Sequence, residues 1–226
     1  MKRLAVSAGV LLLSVLCSPD ILKGQTEKVF ERTYEGRVVQ APYMTFDAFK
    51  SASLGRGKPR HGKVSTDTSS QEVAFSELLS AASLDQFTQH LGKPQSLDQN
   101  NLVREGTFIA HLHYEGLELE YLKAERNGKV LLRDLTITSD DWSITVNGRR
   151  VYVGMSASKL SKPVQRSMQT TTKGAAQEGS STAVIHLGDP KSAGNAKTAR
   201  PQTERNLGIT VDASGRVAEI LFHRVI

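Results

Sequence analysis

Cysteine is almost absent from this sequence, because Cys17 is the only one among 226 residues. One cysteine cannot form a disulfide within the chain, so a disulfide-stabilised scaffold is excluded and the core must hold the fold. Aromatic residues are also scarce, at 6%, which weighs against a large stacking platform for sugars. The hydrophobic fraction of 38% and the charged fraction of 23% are typical of a globular protein.

Long hydrophobic runs are limited to one, at the N-terminus. It covers residues 4–16 and follows the positive residues Lys2 and Arg3. The run is too short to cross a bilayer, which takes about 20 apolar residues, and the chain becomes polar at Ser18. This pattern predicts a secretory signal peptide over residues 1–24, the alternative being a buried N-terminal helix. We therefore expect an exported protein, periplasmic or associated with the outer envelope, whose mature chain has no transmembrane segment.

Cys17 directly follows this apolar run, where a bacterial lipoprotein carries its lipidated cysteine. Lipidation would anchor the protein to a membrane. Leu16 precedes the cysteine, whereas lipoprotein peptidases prefer a small residue there. The alternative is cleavage near Gly24 and Gln25, which leaves a mature chain without cysteine.

Catalytic motifs are missing too. The sequence contains no G-x-S-x-G elbow, no P-loop and no H-E-x-x-H pair, and we recognise no cofactor motif. We therefore expect a non-catalytic protein without a cofactor. The net charge of +6 is compatible with acidic partners such as phospholipid headgroups without singling one out, and nucleic acid is not an expected partner of an exported protein.

Three short helices are predicted. Two lie over residues 72–91, where Ser83 and Gln86 have the spacing of a capping box and Gly92 can end the second helix in a left-handed conformation. The third lies over residues 156–168, where an internal proline would kink or shorten it.

Alternating apolar and polar residues predict antiparallel strands. The longest such stretch covers residues 107–153 and includes two strong type I′ turn signals, Asn127-Gly128 and Asn147-Gly148. Further predictions are a hairpin over residues 26–46, a short strand over 183–187 and a closing hairpin over 207–222.

These elements predict an α+β fold of tandem units, each with a short helix pair and an antiparallel β-meander, with the helices on one face of the sheet and long mobile polar loops. The predicted organisation is a signal peptide (1–24), an N-terminal strand segment (25–49), a flexible basic linker (50–71), a first helix-and-sheet unit (72–155) and a second unit (156–226) with polar loops at 169–181 and 188–204.

Four short segments carry a family resemblance: Leu91-Gly92-Lys93-Pro94, His113-Tyr114-Glu115-Gly116-Leu117-Glu118-Leu119, Leu135-Thr136-Ile137-Thr138-Ser139 and Val153-Gly154-Met155-Ser156. Together they resemble small exported bacterial proteins of the β-lactamase-inhibitor-protein-like fold, which the small outer-membrane assembly lipoproteins share. The resemblance covers residues 75–161, and residues 207–222 show a weaker similarity to the same pattern. It implies tandem helix-pair-plus-sheet units and a protein-binding or assembly role. The matching positions are turns and caps, so no binding residue is carried over.

Two pairs of side chains are candidates for chemistry. His111 and His113 are two apart on one predicted strand, so they share a face and could ligate Zn²⁺ or Cu²⁺ with further ligands from elsewhere. The alternative is a pair of half-exposed strand histidines. Asp140 and Asp141 could act as acid and base or bind Ca²⁺, but adjacent aspartates between strands are more often turn residues.

Aromatic residues are concentrated on the predicted meander: Tyr114, Tyr121, Trp142 and Tyr152. If several of them face outward they would anchor a protein partner, since Trp and Tyr are favoured at interfaces. The alternative is that they form the core.

Three function hypotheses follow. The first is an exported, non-catalytic binding module that contacts a protein partner of the envelope through a sheet face. The second is a metal-binding protein or metal-dependent enzyme that uses His111 and His113. The third is a module that binds acidic lipid or polyanions through the basic segment from Arg56 to Lys63, for which the alternative is a solvated loop.

Overall fold

The computed structural model describes residues 28–34, 37–57, 72–81, 83–102, 107–124, 130–170, 180–188 and 205–224. Several predictions lie outside these residues: the signal peptide, Cys17, the turn at Asn127-Gly128, most of the basic segment that ends at Lys63, and the greater part of both polar loops.

The described residues form fifteen strands and four short α-helices. The strands are β1 (Lys28–Tyr34), β2 (Arg37–Met44), β3 (Ser53–Arg56), β4 (Glu72–Ala74), β5 (Ser80–Ala81), β6 (Ser96–Leu102), β7 (Thr107–Tyr114), β8 (Leu117–Ala124), β9 (Val130–Ile137), β10 (Trp142–Val146), β11 (Arg149–Tyr152), β12 (Gln169–Thr170), β13 (Ser181–Leu187), β14 (Arg205–Val211) and β15 (Val217–Arg224). The helices are α1 (Phe46–Lys50), α2 (Phe75–Leu78), α3 (Leu84–Leu91) and α4 (Lys162–Ser167), with a 3-10 turn at Ala157–Lys159.

The main sheet has eleven strands. Its central path runs β1-β2-β13-β14-β15-β9-β8-β7-β6, while β12 pairs with β13 and β5 pairs with β9. Neighbouring strands are antiparallel except β2 and β13, which pair in parallel through Tyr43 with His186 and Met44 with Leu187. The predicted α+β class with an antiparallel sheet is therefore confirmed, and the N-terminal hairpin extends the C-terminal part of the sheet.

A second sheet has the strand order β11-β10-β3-β4. The β10–β11 hairpin turns at Asn147 (φ 50°) and Gly148 (φ 71°), so the predicted type I′ turn is confirmed. The prediction of a flexible linker over residues 50–71 is wrong for residues 50–57, since they end α1 and form β3. Burial explains the difference, because Leu54 is fully enclosed beside β10 in this otherwise polar stretch.

The predicted helices are confirmed only in part, since the sequence analysis does not predict α1. In the region predicted as two helices, residues 72–74 and 80–81 form strands, and only α2 and α3 are helical. Ser83 precedes α3 but makes no side-chain capping hydrogen bond, whereas Gly92 takes the expected positive φ of 81°. Pro163 lies in the first turn of α4, where its missing N–H costs nothing. The helix predicted over residues 156–168 is therefore split into a 3-10 turn and α4.

One apolar cluster connects both sheets and all four helices. Alternate side chains of β7, β8, β9, β13, β14 and β15 enter it, and these define the inner face of the main sheet. Phe49 of α1 stacks on Phe222 of β15 with a centroid separation of 5.4 Å, and Phe75 of α2 contacts both rings. Within the described part of the chain, no helix is long and apolar enough to cross a membrane.

Candidate binding face of the main sheet

The opposite, outer face of the main sheet carries a row of polar side chains that crosses the strands. Antiparallel register places these residues directly opposite one another from strand to strand. Since cross-strand neighbours share a face, they form one continuous row, here called the polar row: Asp98, His111, Glu120, Asp134, His223, Asn206 and His186.

Histidines and carboxylates pair at the β6 end of this face. His113 lies with Nε2 3.3 Å from Asp98 Oδ2 and Nδ1 3.8 Å from Glu118 Oε1. His111 Nδ1 lies 3.8 Å from Glu120 Oε2. The two imidazole rings stack with centroids 6.3 Å apart, so the predicted shared face of His111 and His113 is confirmed.

Arg133 lies at the centre of the face because β9 carries a bulge opposite Glu120 and Tyr121. The extra residue of a bulge lets two consecutive side chains face the same way, and here they are Arg133 and Asp134. Arg133 Nη1 lies 2.9 Å from Glu120 Oε1, in an ion pair without hydrogen-bond alignment, and Arg133 Nε lies 3.3 Å from Asp134 Oδ2. His223 Nδ1 lies 2.5 Å from Asp134 Oδ1.

A shallow cleft of about 110 Å³ opens over this part of the face, lined by His111, His113, Glu118, Leu119, Glu120, Asp134 and Thr136. Among the described residues, no group of three or more His, Cys, Asp or Glu side chains is arranged to hold a metal ion. His111 and His113 have the geometry of cross-strand histidine–carboxylate pairs.

Apolar side chains flank the polar row. On one side Val184 of β13 and Leu221 of β15 are 41% and 36% exposed, and both pair with Gly208 of β14, which lies between them. On the other side lie the half-buried Ile109, Leu122 and Leu131, which are also cross-strand neighbours. The outer face therefore combines a charged centre with two apolar margins.

The aromatic residues proposed as partner anchors do not lie on this face. Tyr114, Tyr121 and Trp142 are buried, so their prediction as outward-facing anchors is wrong. Tyr114 and Tyr121 alternate onto the inner face, where Tyr121 stacks on Phe87 at 4.0 Å. Trp142 Nε1 donates to the carbonyl of Glu115 at 2.8 Å. Tyr152 is half-buried on β11 of the second sheet.

Because Tyr114 and Tyr121 are buried as neutral groups, the folded state is expected to lose stability at alkaline pH. Burial raises the pKa of Tyr114 to about 12, although the nearby Arg56 acts to lower it; burial, reinforced by Tyr114, raises the pKa of Tyr121 well above its ordinary value. Because these folded-state pKa values exceed the unfolded value of about 10, their contribution is complete below pH 10. The contribution of Tyr114 is lost as the pH rises from 10 through about 12, whereas Tyr121, whose pKa is raised well above its ordinary value, also loses its contribution as the pH rises above 10.

We therefore expect the free energy of unfolding, measured by urea denaturation, to fall between pH 10 and 12. Tyr114→Phe removes the hydrogen bond from the hydroxyl to the Gly92 carbonyl and should cost about 1 kcal/mol at pH 7. The same variant should fall less steeply above pH 10. An equal slope in both proteins would contradict the assignment.

The remaining predicted sites have ordinary structural surroundings. Asp140 and Asp141 lie in the turn before β10, where the Asp141 N–H donates to Ser139 Oγ at 3.1 Å, as expected of turn residues. Arg56, at the start of the basic segment, places its guanidinium 5.3 Å from the Trp142 ring centroid. Lys63 lies outside the described residues.

Sequence reasoning missed the residues that complete the outer face, namely Arg133, Asp134, His223, Val184 and Leu221. For four of these residues, alternation with buried neighbours was a usable signal for which side chains face outward, and Arg133 at the bulge is the exception. The strand order, which brings β15 beside β9, has no local signal.

No protein-family model matches this sequence, and neither a curated protein nor a solved structure matches it at a significant level.

Proposed function

We propose that this protein is an exported, non-catalytic binding module of the bacterial periplasm or outer envelope, and that it contacts a protein partner through the outer face. The observation that carries the proposal is that none of the described helices or strands packs over this face. Across β6–β9 and β13–β15, every outward side chain with a described exposure is half-buried or exposed. Most inward side chains are enclosed by helices and the second sheet, and the exceptions, such as Leu97, Arg205 and Arg224, lie at the edge of the sheet or at the ends of its strands.

The size of the face suits a protein partner. Seven adjacent strands, spaced about 4.8 Å apart, give a width of roughly 30 Å, and seven residues of strand give a length of roughly 25 Å. The resulting area is close to the roughly 800 Å² that each partner contributes to a standard interface. Val184 and Leu221, separated by Gly208, supply apolar area beside the polar row, and interfaces combine such apolar parts with a polar rim.

Charge indicates what kind of surface the partner has. The described outward side chains of these seven strands include five carboxylates, Asp98, Glu118, Glu120, Asp134 and Glu219, against one guanidinium, Arg133. The face is thus acidic in a chain whose net charge is +6. Complementary charge speeds association and selects partners, so we propose a partner with a basic surface.

A division of the fold into two similar units is a further argument for this proposal. We interpret α2, α3 and β6–β9 as a first helix-and-sheet unit, and α4 with β13–β15 as a second, joined where β9 pairs with β15. We propose that these two units correspond to the tandem arrangement that the resemblance to exported binding and assembly proteins implies, with a single described α-helix, α4, in the second unit instead of a pair.

The proposal is tested by site-specific photo-crosslinking in cells that carry the full-length protein. A crosslinker at Val184 or Leu221 should capture a defined envelope protein. Leu221→Gln, with the crosslinker at Val184, should reduce capture about tenfold, because burying an amide without a hydrogen bond costs about 1–3 kcal/mol. Leu97, an equally exposed apolar residue at the β6 edge, is the matched control position. It pairs with Leu112 on the inner side.

Two results would defeat the proposal: capture that is as strong from position 97 as from position 221, or no capture from either outward position. Mass analysis of the purified protein's N-terminus, in the same experiment, tests export. It distinguishes cleavage near Gly24 from a lipidated Cys17.

A further inference from the structure

Two arginines face each other on the inner side of the main sheet, at its α1 end. Arg205 begins β14 and Arg224 ends β15, and the strand register pairs them directly. Both side chains are half-buried. The Nε atom of each is sealed from solvent and has no hydrogen-bond partner.

This arrangement is electrostatically unfavourable as it stands. Like charges directly opposite each other on neighbouring strands destabilise a sheet. Burial lowers the pKa of both guanidiniums, and Arg224 lowers the pKa of Arg205 further. None of the ion pairs formed among the described residues involves either arginine.

A third cation lies close by. The guanidinium carbon of Arg205 is 3.7 Å from the centroid of the Phe46 ring, and Lys50 Nζ is 5.1 Å from the same centroid. Asp47 pairs with Lys50 at 3.3 Å but is 91% exposed, so it does not neutralise the two arginines. Among the described residues, the α1 end of the inner face therefore carries an excess of positive charge around the Phe46 ring.

We propose that Arg205 and Arg224 form a binding site for a phosphate group, with Lys50 at its edge. Guanidinium groups bind phosphate oxygens through paired, charge-assisted hydrogen bonds. A phosphomonoester carries close to two negative charges at neutral pH, which matches two facing guanidiniums, whereas a single carboxylate would neutralise only one. The aromatic ring of Phe46 holds Arg205 in position by a cation–π contact. This site lies on the opposite face from the proposed partner surface and does not depend on it.

The first test compares inorganic phosphate with chloride at equal ionic strength, using the melting temperature and isothermal titration calorimetry of the purified full-length chain. Phosphate should raise the melting temperature of the wild type. Arg224→Gln should weaken phosphate binding about tenfold or more, as expected for the loss of charge-assisted hydrogen bonds. Arg149→Gln, at an exposed arginine of β11, is the matched control and should bind like the wild type.

The melting temperature in phosphate-free buffer distinguishes a ligand-binding arginine from one that only stabilises the fold. Removing one of two facing cations relieves their repulsion, so Arg224→Gln should melt at or above the wild-type temperature in chloride. Should Arg205→Gln unfold because the Phe46 contact is lost, Arg224→Gln still decides the question. The proposal is overturned if phosphate stabilises Arg224→Gln as much as the wild type, or if phosphate stabilises neither protein and phosphatidic acid vesicles also fail to bind.

Two further probes distinguish a small phosphorylated ligand from a lipid headgroup as the source of the phosphate group. Glycerol 3-phosphate in solution tests a small phosphorylated ligand, and vesicles of phosphatidic acid, compared with phosphatidylcholine, test a lipid headgroup. Binding of either that is lost in Arg224→Gln supports the site and names its source. Leu221→Gln on the outer face should leave this binding unchanged, so failure of the partner proposal and failure of the phosphate site give different results.

Discussion

Replacing Phe222 with alanine is expected to lower the free energy of unfolding by about 4 kcal/mol, as for other large-to-small substitutions of a buried aromatic residue. Phe222 is fully buried. It stacks on Phe49 and contacts Phe75, so its ring joins α1 and α2 to the centre of the main sheet. Urea denaturation followed by circular dichroism measures the change.

The neighbouring residue provides the control for this prediction. Leu221 precedes Phe222 on β15 but faces outward and is 36% exposed, so Leu221→Ala should cost less than about 1 kcal/mol. A double-mutant cycle between Phe49→Ala and Phe222→Ala should give a coupling energy of roughly 1 kcal/mol, because the two rings stack. Equal losses for positions 221 and 222 would mean that the two faces of β15 have been assigned wrongly.

Gly116→Ala is expected to destabilise the protein by about 3 kcal/mol, since it combines a left-handed backbone with overpacking. Gly116 has φ 70°. A Cβ atom there would lie 2.2 Å from the Cβ of Ser139 and 3.2 Å from its Cα. The tight turn between β7 and β8 therefore requires glycine for two independent reasons, and thermal and urea unfolding of the variant should both show the loss.

Other glycines separate these two causes. Gly215 and Gly148 also have positive φ, but nothing lies within 4 Å of a Cβ built on either. Gly215→Ala should therefore cost only the backbone term, about 1 kcal/mol. Combining Gly116→Ala with Ser139→Gly removes the Cβ contact and should recover part of the loss. If Gly116→Ala costs no more than Gly215→Ala, the close approach of Ser139 is not present in solution.

The local elements of this fold could be predicted because their signals lie within a few residues of one another. Asn147-Gly148 predicts its hairpin through backbone preference alone. Gly92 marks the end of α3 because it tolerates positive φ. Alternation along β7 and β8 correctly separates buried from outward positions, since side chains of a strand point to opposite faces by turns.

The second sheet could not be predicted in this way. Leu54 lies among polar residues, and its burial depends on pairing with Ile144 of β10, a strand far along the chain. Tyr114 and Trp142 were open to two interpretations for a related reason. An aromatic side chain with one polar group is suited either to an interface or to a core that offers a hydrogen-bond acceptor. Only the tertiary structure places the Gly92 carbonyl beside Tyr114 and the Glu115 carbonyl beside Trp142.

The candidate face, like the fold, could be predicted from the sequence only in its local features. Its histidine pair could be assigned to one face of one strand, because a spacing of two is sufficient for that. Their carboxylate partners Asp98 and Glu120 lie on adjacent strands in this structure. The contribution of β15 depends on strand order, and the bulge that turns Arg133 outward has no sequence signal that we recognise.

The parallel pairing of β2 with β13 has a consequence for how the chain is made. Tyr43 and His186 pair across more than a hundred residues, so the N-terminal hairpin has no partner strand until most of the polypeptide has left the ribosome. Long-range pairing of this kind slows folding. During synthesis the N-terminal hairpin therefore joins the rest of the main sheet only after β13 has been made, so this part of the sheet is completed late.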